Sequence, residues 1–200
     1  MMFTLAILAV VLSYTWVLEP FAPKSAAAVA GVLVVGLALS RAIRSGDWGV
    51  QRAAFVPALW RSAVVTAVAA IAIYVAGAQL GTWRAQRAAW SDLLLLIPWG
   101  LGQQFALHSV FLREAQTTMG RGAGVVVAAA LFAALHLPNP FLSAMTFAGA
   151  LAWCWIYDRH PNLLPLALSH ALLTLAILRA FDAAMTGHLR VGAAYLSLSK

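Results

Sequence analysis

The chain has 200 residues, of which 63% are hydrophobic and 10% charged, and 13 Lys+Arg against 6 Asp+Glu give a net charge of +7. An ordinary soluble domain is about 45–50% apolar and about 25% charged, so this composition cannot cover a surface that faces water. It excludes a soluble globular domain and implies an integral membrane protein. Only helices or closed barrels satisfy the backbone in lipid, so the expected fold is all-α, a polytopic bundle of about seven or eight transmembrane helices.

The first apolar run, residues 2–18, lacks a basic n-region and ends in Glu19-Pro20 with no small-residue cleavage site, so it is read as a membrane helix rather than a signal peptide. Pro20 and Pro23 break the chain before a second span over residues 26–39 and its flanks. Arg41, Arg44, Arg52 and Arg61 follow with Asp47, and Trp48, Phe55, Leu59 and Trp60 suggest an interfacial amphipathic segment among them. Four arginines mark this loop as cytoplasmic, which puts the N-terminus on the cytoplasmic side. A third span covers residues 62–80, and a loop with Arg84, Arg87 and Asp92 leads to a fourth over residues 93–112.

Arg113, Glu114 and Arg121 then suggest a surface loop. The fifth span, residues 122–137, is stopped by Pro138-Asn139-Pro140. The sixth, residues 141–157, places Trp153, Trp155 and Tyr157 at an interface, and the seventh covers residues 163–178. His160 and His188 read as solvated loop residues, and the tail from Arg179 has room for another short helix. No repeat or linker divides the chain. The organisation expected is N-terminal transmembrane helices over 1–46, a membrane core over 47–180 and a tail over 181–200.

The basic residues are scattered between apolar runs, which suits contact with the bilayer's anionic head groups and not nucleic acid. Cys154 is the one cysteine, so no intrachain disulfide can form, and it reads as a small buried residue. The arginine- and alanine-rich composition suggests a GC-rich bacterium and hence its inner membrane, where a prenylated substrate is not expected.

Polar side chains inside apolar spans are functional candidates by default. Gln103, Gln104 and His108 lie in the fourth span, His136 ends the fifth, and His170 and Thr174 lie in the seventh. Gln104 and His108, Phe132 and His136, and His170 and Thr174 are each four apart, which puts each pair on one helical face. Three helices can therefore point these groups into one cavity. Imidazoles there have two uses: to polarise a carbonyl and bind its oxyanion, or to hold a metal. A single zinc ion would take His108, His136 and His170 with water in the open fourth position, although no HExxH motif accompanies them.

In this order the motifs resemble those of the CPBP family, which joins type II CAAX prenyl endopeptidases to bacteriocin-processing and immunity proteins. That family's signature runs E-E-x-x-x-R, F-x-x-x-H and H-x-x-x-N. Phe132-Ala-Ala-Leu-His136 matches the second motif, and His170-Ala-Leu-Leu-Thr174 the third except at its last residue. The resemblance covers residues 47–178, with a Pro-Asn-Leu-Leu-Pro lead-in to His170. It implies an intramembrane endopeptidase acting on a membrane-associated peptide or protein. The two histidines would position water or stabilise the oxyanion, with Thr174 helping.

The first motif departs from the pattern, because Gln103, Gln104 and His108 stand where two glutamates and an arginine are expected. In the family the first glutamate is taken to activate water and the second pairs with the arginine. A neutral Gln104 needs no cationic partner, and a neutral His108 suits it, so the fold can keep both without an unpaired charge in lipid. Gln103 can orient water but cannot deprotonate it, and a positioned base is worth about 10²–10⁴ in rate. His108 is the first candidate for a replacement base. Glu114 is the second, on the same face as Gln103 but about 16 Å along the axis. With no replacement, the chain would be an inactive pseudoprotease that holds a membrane peptide or confers bacteriocin-type immunity. A small transporter also fits the composition but not the lack of a repeat or of a mid-span charge.

Overall fold

The computed structural model describes residues 1–23, 25–83 and 90–199. The loop residues Arg84 and Arg87 lie outside these described residues. The fold is an all-α polytopic bundle. Five helical stretches are long and apolar enough to cross a membrane: Ser25–Ser45, Arg52–Gln79, Trp90–Met119, Pro140–Arg159 and Leu163–Ala180. Two shorter apolar ones, Met2–Leu18 and Arg121–Ala134, complete the bundle.

In chain order the helices are α1 (Met2–Leu12, widening into a π-helical turn over Ser13–Leu18), α2 (Ser25–Ser45) and α3 (Phe55–Gln79). Next come α4 (Leu93–Phe105), a π-helical stretch Ala106–Leu112, α5 (Arg113–Met119) and α6 (Arg121–Ala134). The chain ends with α7 (Pro140–Arg159), α8 (Leu163–Ala180) and two short tail helices, α9 (Ala183–Thr186) and α10 (Gly192–Leu196).

Three expectations are corrected. Phe55, Leu59 and Trp60 are the first turns of α3 and not a separate interfacial segment. Residues 113–119 continue the fourth span as α5, so no surface loop begins at Arg113. Trp153 and Tyr157 are buried, and only Trp155 lies open, with the Arg159 guanidinium over its ring. An aromatic residue near a helix end fits an interface or a core equally well by composition, and the neighbouring helix decides.

Helix α8 is the axis of the bundle, with a long series of buried positions from Leu163 to Ala180. It packs between α3 and α4, and two glycines set the approach. A Cβ on Gly77 of α3 would lie 2.5 Å from the Ala180 carbonyl oxygen, and one on Gly100 of α4 would lie 3.1 Å from that of Ala167. Small residues at membrane helix contacts let backbones come close, where packing rather than water expulsion drives association. Outward-facing side chains are the apolar ones: Leu94 and Leu95 on α4 are 77% and 76% exposed, which suits a lipid neighbour.

The two ends of the bundle are closed differently. At one end ionic groups are paired. Arg113 donates to Asp47 at 3.0 Å, and Arg121 and Gln116 converge on Asp158. Glu114 accepts from the main-chain N–H groups of Phe3 and Thr4 at 3.2 and 2.9 Å. It thus caps α1, whose first amides have no partner within the helix. Residues 49–51 run antiparallel to 161–163 there, with Gln51 N–H donating to Pro161 O and Leu163 N–H to Gly49 O. At the other end neutral groups do the work: Asn139 caps α7 by accepting from Leu142 N–H, and its Nδ2 donates to the Thr186 and Arg190 carbonyls of the tail. The Leu137–Pro138 peptide in this turn is cis.

Replacing Gly77 by alanine should force α3 away from α8 and lower stability by about 1–3 kcal/mol, the usual cost of overpacking. Gly36→Ala on α2, where a Cβ meets nothing within 4 Å, should be neutral or slightly stabilising. Thermal unfolding in detergent, followed by circular dichroism, checks the contrast.

Candidate active site between α4, α6 and α8

The π-helical stretch after α4 sets the first half of the site. In an α register the His108 N–H would bond to the Gln104 carbonyl, four residues back. Here the His108 imidazole reaches that carbonyl, with Nδ1 donating at 2.9 Å. Single π turns within membrane or soluble helices often mark functional positions for this reason, since they redirect a side chain and free a carbonyl. Both residues are fully buried.

Gln104 turns its side chain the other way. Its Nε2 lies 3.0 Å from His170 Nδ1 on α8 and donates to it, and its Oε1 is buried without a partner. The close approach of α4 and α8 at Gly100 makes this reach achievable, since the same glycine's Cβ would lie 3.6 Å from His170 Cβ. Gln104 therefore touches two histidines at once, one through its carbonyl and one through its amide. The pairing of Gln104 with His108 expected from sequence is made through the main chain and not between side chains.

Trp153 of α7 stacks on the His170 ring at 4.8 Å with a 14° interplanar angle. Its Nε1–H donates to Ser169 Oγ at 3.0 Å, and the Ser169 hydroxyl donates in turn to Thr66 Oγ1 of α3 at 2.6 Å, because Thr66 gives its own proton to the Ser62 carbonyl. A flat aromatic wall, held through its indole N–H by a chain of two hydroxyls, limits the rotation of His170. Phe132 stands edge-on to both remaining imidazoles, 5.0 Å from the His136 ring and 6.3 Å from that of His170. His136 Nδ1 donates to the Phe132 carbonyl at 2.8 Å. Phe132 is thus a neighbour common to His136 and His170.

The structure thus brings Gln104, His136 and His170 together around Phe132 and Trp153. His108 does not join them. Its ring packs on Tyr157 at 4.6 Å, and its Nε2 is sealed near the Trp153 main chain with no hydrogen bond. Gln103 and Thr174 are half-buried beside their neighbours and, among the described residues, make no side-chain hydrogen bond. His108, read from sequence as the replacement base, is fully buried against Tyr157 and apart from the other two imidazoles, which does not favour that role. Glu114, a poor substitute by its distance along the helix, is bound to the α1 N-terminus.

The zinc arrangement is not formed. Among the described residues no three His, Cys, Asp or Glu side chains are placed to hold a metal ion. His108 packs on Tyr157, fully buried, and does not join His136 and His170 in a tetrahedral site. Sequence reasoning missed Trp153, Ser169, Thr66 and Gly100. The available signals were the i, i+4 spacing of Trp153 and Tyr157 and the Ser169-His170 neighbourhood, neither of which singles out a partner.

The hydrogen bonds dictate tautomers. A carbonyl only accepts, so His108 and His136 carry the proton on Nδ1 and present a lone pair at Nε2. The amide Nε2–H of Gln104 only donates, so His170 accepts at Nδ1 and carries its proton on Nε2. Nitrogen-15 spectra of histidine-labelled protein in micelles should show His170 as the Nε2–H tautomer and His136 as Nδ1–H. Gln104→Leu should mix the His170 tautomers and cost about 1–2 kcal/mol, leaving His136 as it was.

Comparison with known proteins bears on this geometry. Neither the curated proteins nor the solved structures compared give a match. Residues 2–176 match the family described as type II CAAX prenyl endopeptidase Rce1-like, a span that takes in α1 through most of α8. The Phe132-to-His136 and His170-to-Thr174 segments and Gln103-Gln104 all fall inside it, and the chain belongs to the Rce1-like family of type II CAAX prenyl endopeptidases.

Proposed function

We propose that the chain is an intramembrane endopeptidase of the CAAX-protease type in which His136 is the general base and His170 binds the oxyanion. One observation carries this reading: His136 Nδ1 faces a carbonyl and His170 Nδ1 faces an amide nitrogen, partners that assign a lone pair at Nε2 to the first and an N–H to the second. Peptide hydrolysis needs both.

In this reading a water molecule, oriented by the Gln103 carboxamide, attacks the scissile carbonyl carbon. His136 Nε2 takes a proton from that water as the C–O bond forms. The carbonyl oxygen becomes an oxyanion that receives the His170 Nε2–H, with the Thr174 hydroxyl one turn away as a second donor. As the C–N bond breaks, His136 returns the proton to the leaving amine. A general base contributes about 10²–10⁴ in rate, and one oxyanion donor about 10²–10³. Gln104 and Trp153 hold His170 in place for this.

The substrate is a peptide bond in a membrane-associated protein or peptide, reached from the bilayer. The end of the bundle with Arg41, Arg44, Arg52, Arg113, Arg121 and Arg159 would face the cytoplasm by the positive-inside rule, with the N-terminus beside it. We place the protein in a bacterial inner membrane, with lipid and no nucleic acid as its surroundings.

A second reading is favoured by the fate of the carboxylates. Asp47, Glu114, Asp158 and Asp182 are bound to Arg113, the α1 amides, Arg121 with Gln116, and the α9 N-terminus respectively. None of these four can serve the histidine pair without leaving its partner. A pseudoprotease that holds a membrane peptide in the same place follows if His136 alone is too weak a base.

Cleavage of a panel of membrane-anchored peptides in liposomes separates the two. The natural chain should cleave slowly, His136→Ala and His170→Ala should each lose at least about a hundredfold, and Gln103→Glu should raise the rate. A natural chain that is silent while Gln103→Glu is active would make the protein a pseudoprotease.

A further inference from the structure

The match to the family ends at residue 176, yet the tail beyond it is built into the turn that carries His136. Helix α6 has 14 residues, or about 21 Å, and so falls short of the roughly 30 Å apolar layer of a bilayer. His136 sits in the irregular turn that follows, where main-chain polar groups at membrane depth are tolerated only if protein covers them. The tail provides that cover. Gly192 N–H donates to the Leu137 carbonyl at 2.8 Å. Asn139 Nδ2 donates to the Thr186 and Arg190 carbonyls at 2.8 and 3.1 Å, and Asn139 N–H donates to the His136 carbonyl at 3.2 Å.

The tail adopts a costly backbone to reach these positions. Gly187, His188 and Leu189 follow one another with φ of 57°, 53° and 55°. A left-handed conformation costs a residue with a Cβ about 1–2 kcal/mol, and such conformations persist where the surroundings over-determine them. Here the surroundings are Asn139, which is only 1% exposed, and Tyr195, which closes on Gly187. Gly192, also left-handed, seats α10 against the Thr15 carbonyl of the π-helical turn after α1.

We propose that residues 186–192 form a clasp that positions His136, with Asn139 as the positioning residue at its centre. The proposal rests on the reading of His136 as the basic imidazole. The clasp fixes the 136–139 turn from below, so that His136 keeps its Nδ1–H on Phe132 and aims Nε2 at the space beside His170. Without it the turn would be tied only to its own helices.

Two variants of the full chain test this. Asn139→Asp still accepts from Leu142 N–H, so α7 keeps its cap, but it cannot donate to Thr186 or Arg190. Gly187→Ala opens the clasp from the tail side, because its Cβ would lie 2.9 Å from Asn139 Nδ2 and would require a φ of 57°. In both, the His136 Nδ1–H resonance should give way to exchanging tautomers while that of His170 and the helical circular dichroism stay as they were. On a cleaved peptide, kcat should fall about ten- to a hundredfold with KM unchanged, the effect of misplacing one reacting group. An unaltered His136 spectrum in both variants overturns the proposal. If Asn139→Asp fails to fold, the Gly187→Ala spectrum decides alone. A natural chain that cleaves nothing, with His136 still released in the variants, would leave the clasp standing and remove the protease reading.

Discussion

The hydrogen bond from the Gln104 amide to His170 Nδ1 is the contact on which the rest of the site depends. It ties α4 to α8, it selects the tautomer of His170, and it leaves the Gln104 carbonyl to hold His108. A carboxylate in the same fully buried place would require a cation beside it, because breaking or omitting one partner of a buried pair costs about 3–5 kcal/mol. With His108 where an arginine would stand, that cation is absent, and a carboxamide is the group of the same shape that needs none. The cost is smaller: Gln104 Oε1 remains buried without a partner, worth about 1–3 kcal/mol. The neutral pair of substitutions is therefore one change seen at two positions.

Neutrality alters the chemistry as well as the packing. A carboxylate accepts from any imidazole and so favours N–H on the nitrogen that faces it. An amide N–H does the reverse and pushes the proton to the far nitrogen. His170 thus carries its donor on Nε2, while His136, bonded to a carbonyl through Nδ1, carries a lone pair there. Glutamines at 103 and 104 supply no base, but a complementary pair of imidazoles stands beside them. Which of these counts for more is a question of rate and not of geometry, since the oxyanion donor survives in either case.

The helices were legible in the sequence because each is an apolar run between proline or charge punctuation, five of the described ones of membrane length. Phe132, His136 and His170 were legible as well, because a four-residue spacing places them on shared faces whatever the partner helix. Gln104 was legible as a polar residue at membrane depth, but its partner lies 66 residues away, and no local pattern names it. His108 has the same spacing from Gln104 and points into the wall. Spacing fixes a face, and the π-helical stretch rotates that face, which the residue pattern does not reveal. Glu114 failed for a similar reason: a carboxylate beside an arginine looks like a surface pair, whereas it reaches 110 residues back to the first helix.

The two ends of the bundle show how solvent sorts the devices that close a membrane fold. Ion pairs such as Arg113 with Asp47 and Arg121 with Asp158 suit an end near water, where desolvation is incomplete and head groups are charged. The end that carries His136 is closed by an asparagine, main-chain carbonyls and glycine N–H, all of them neutral. Such groups can be satisfied at depth without a counter-ion, which is what a helix too short for the bilayer demands at its end. The same shortness that requires this cover brings His136 inward to the level of Phe132 and the α8 histidine.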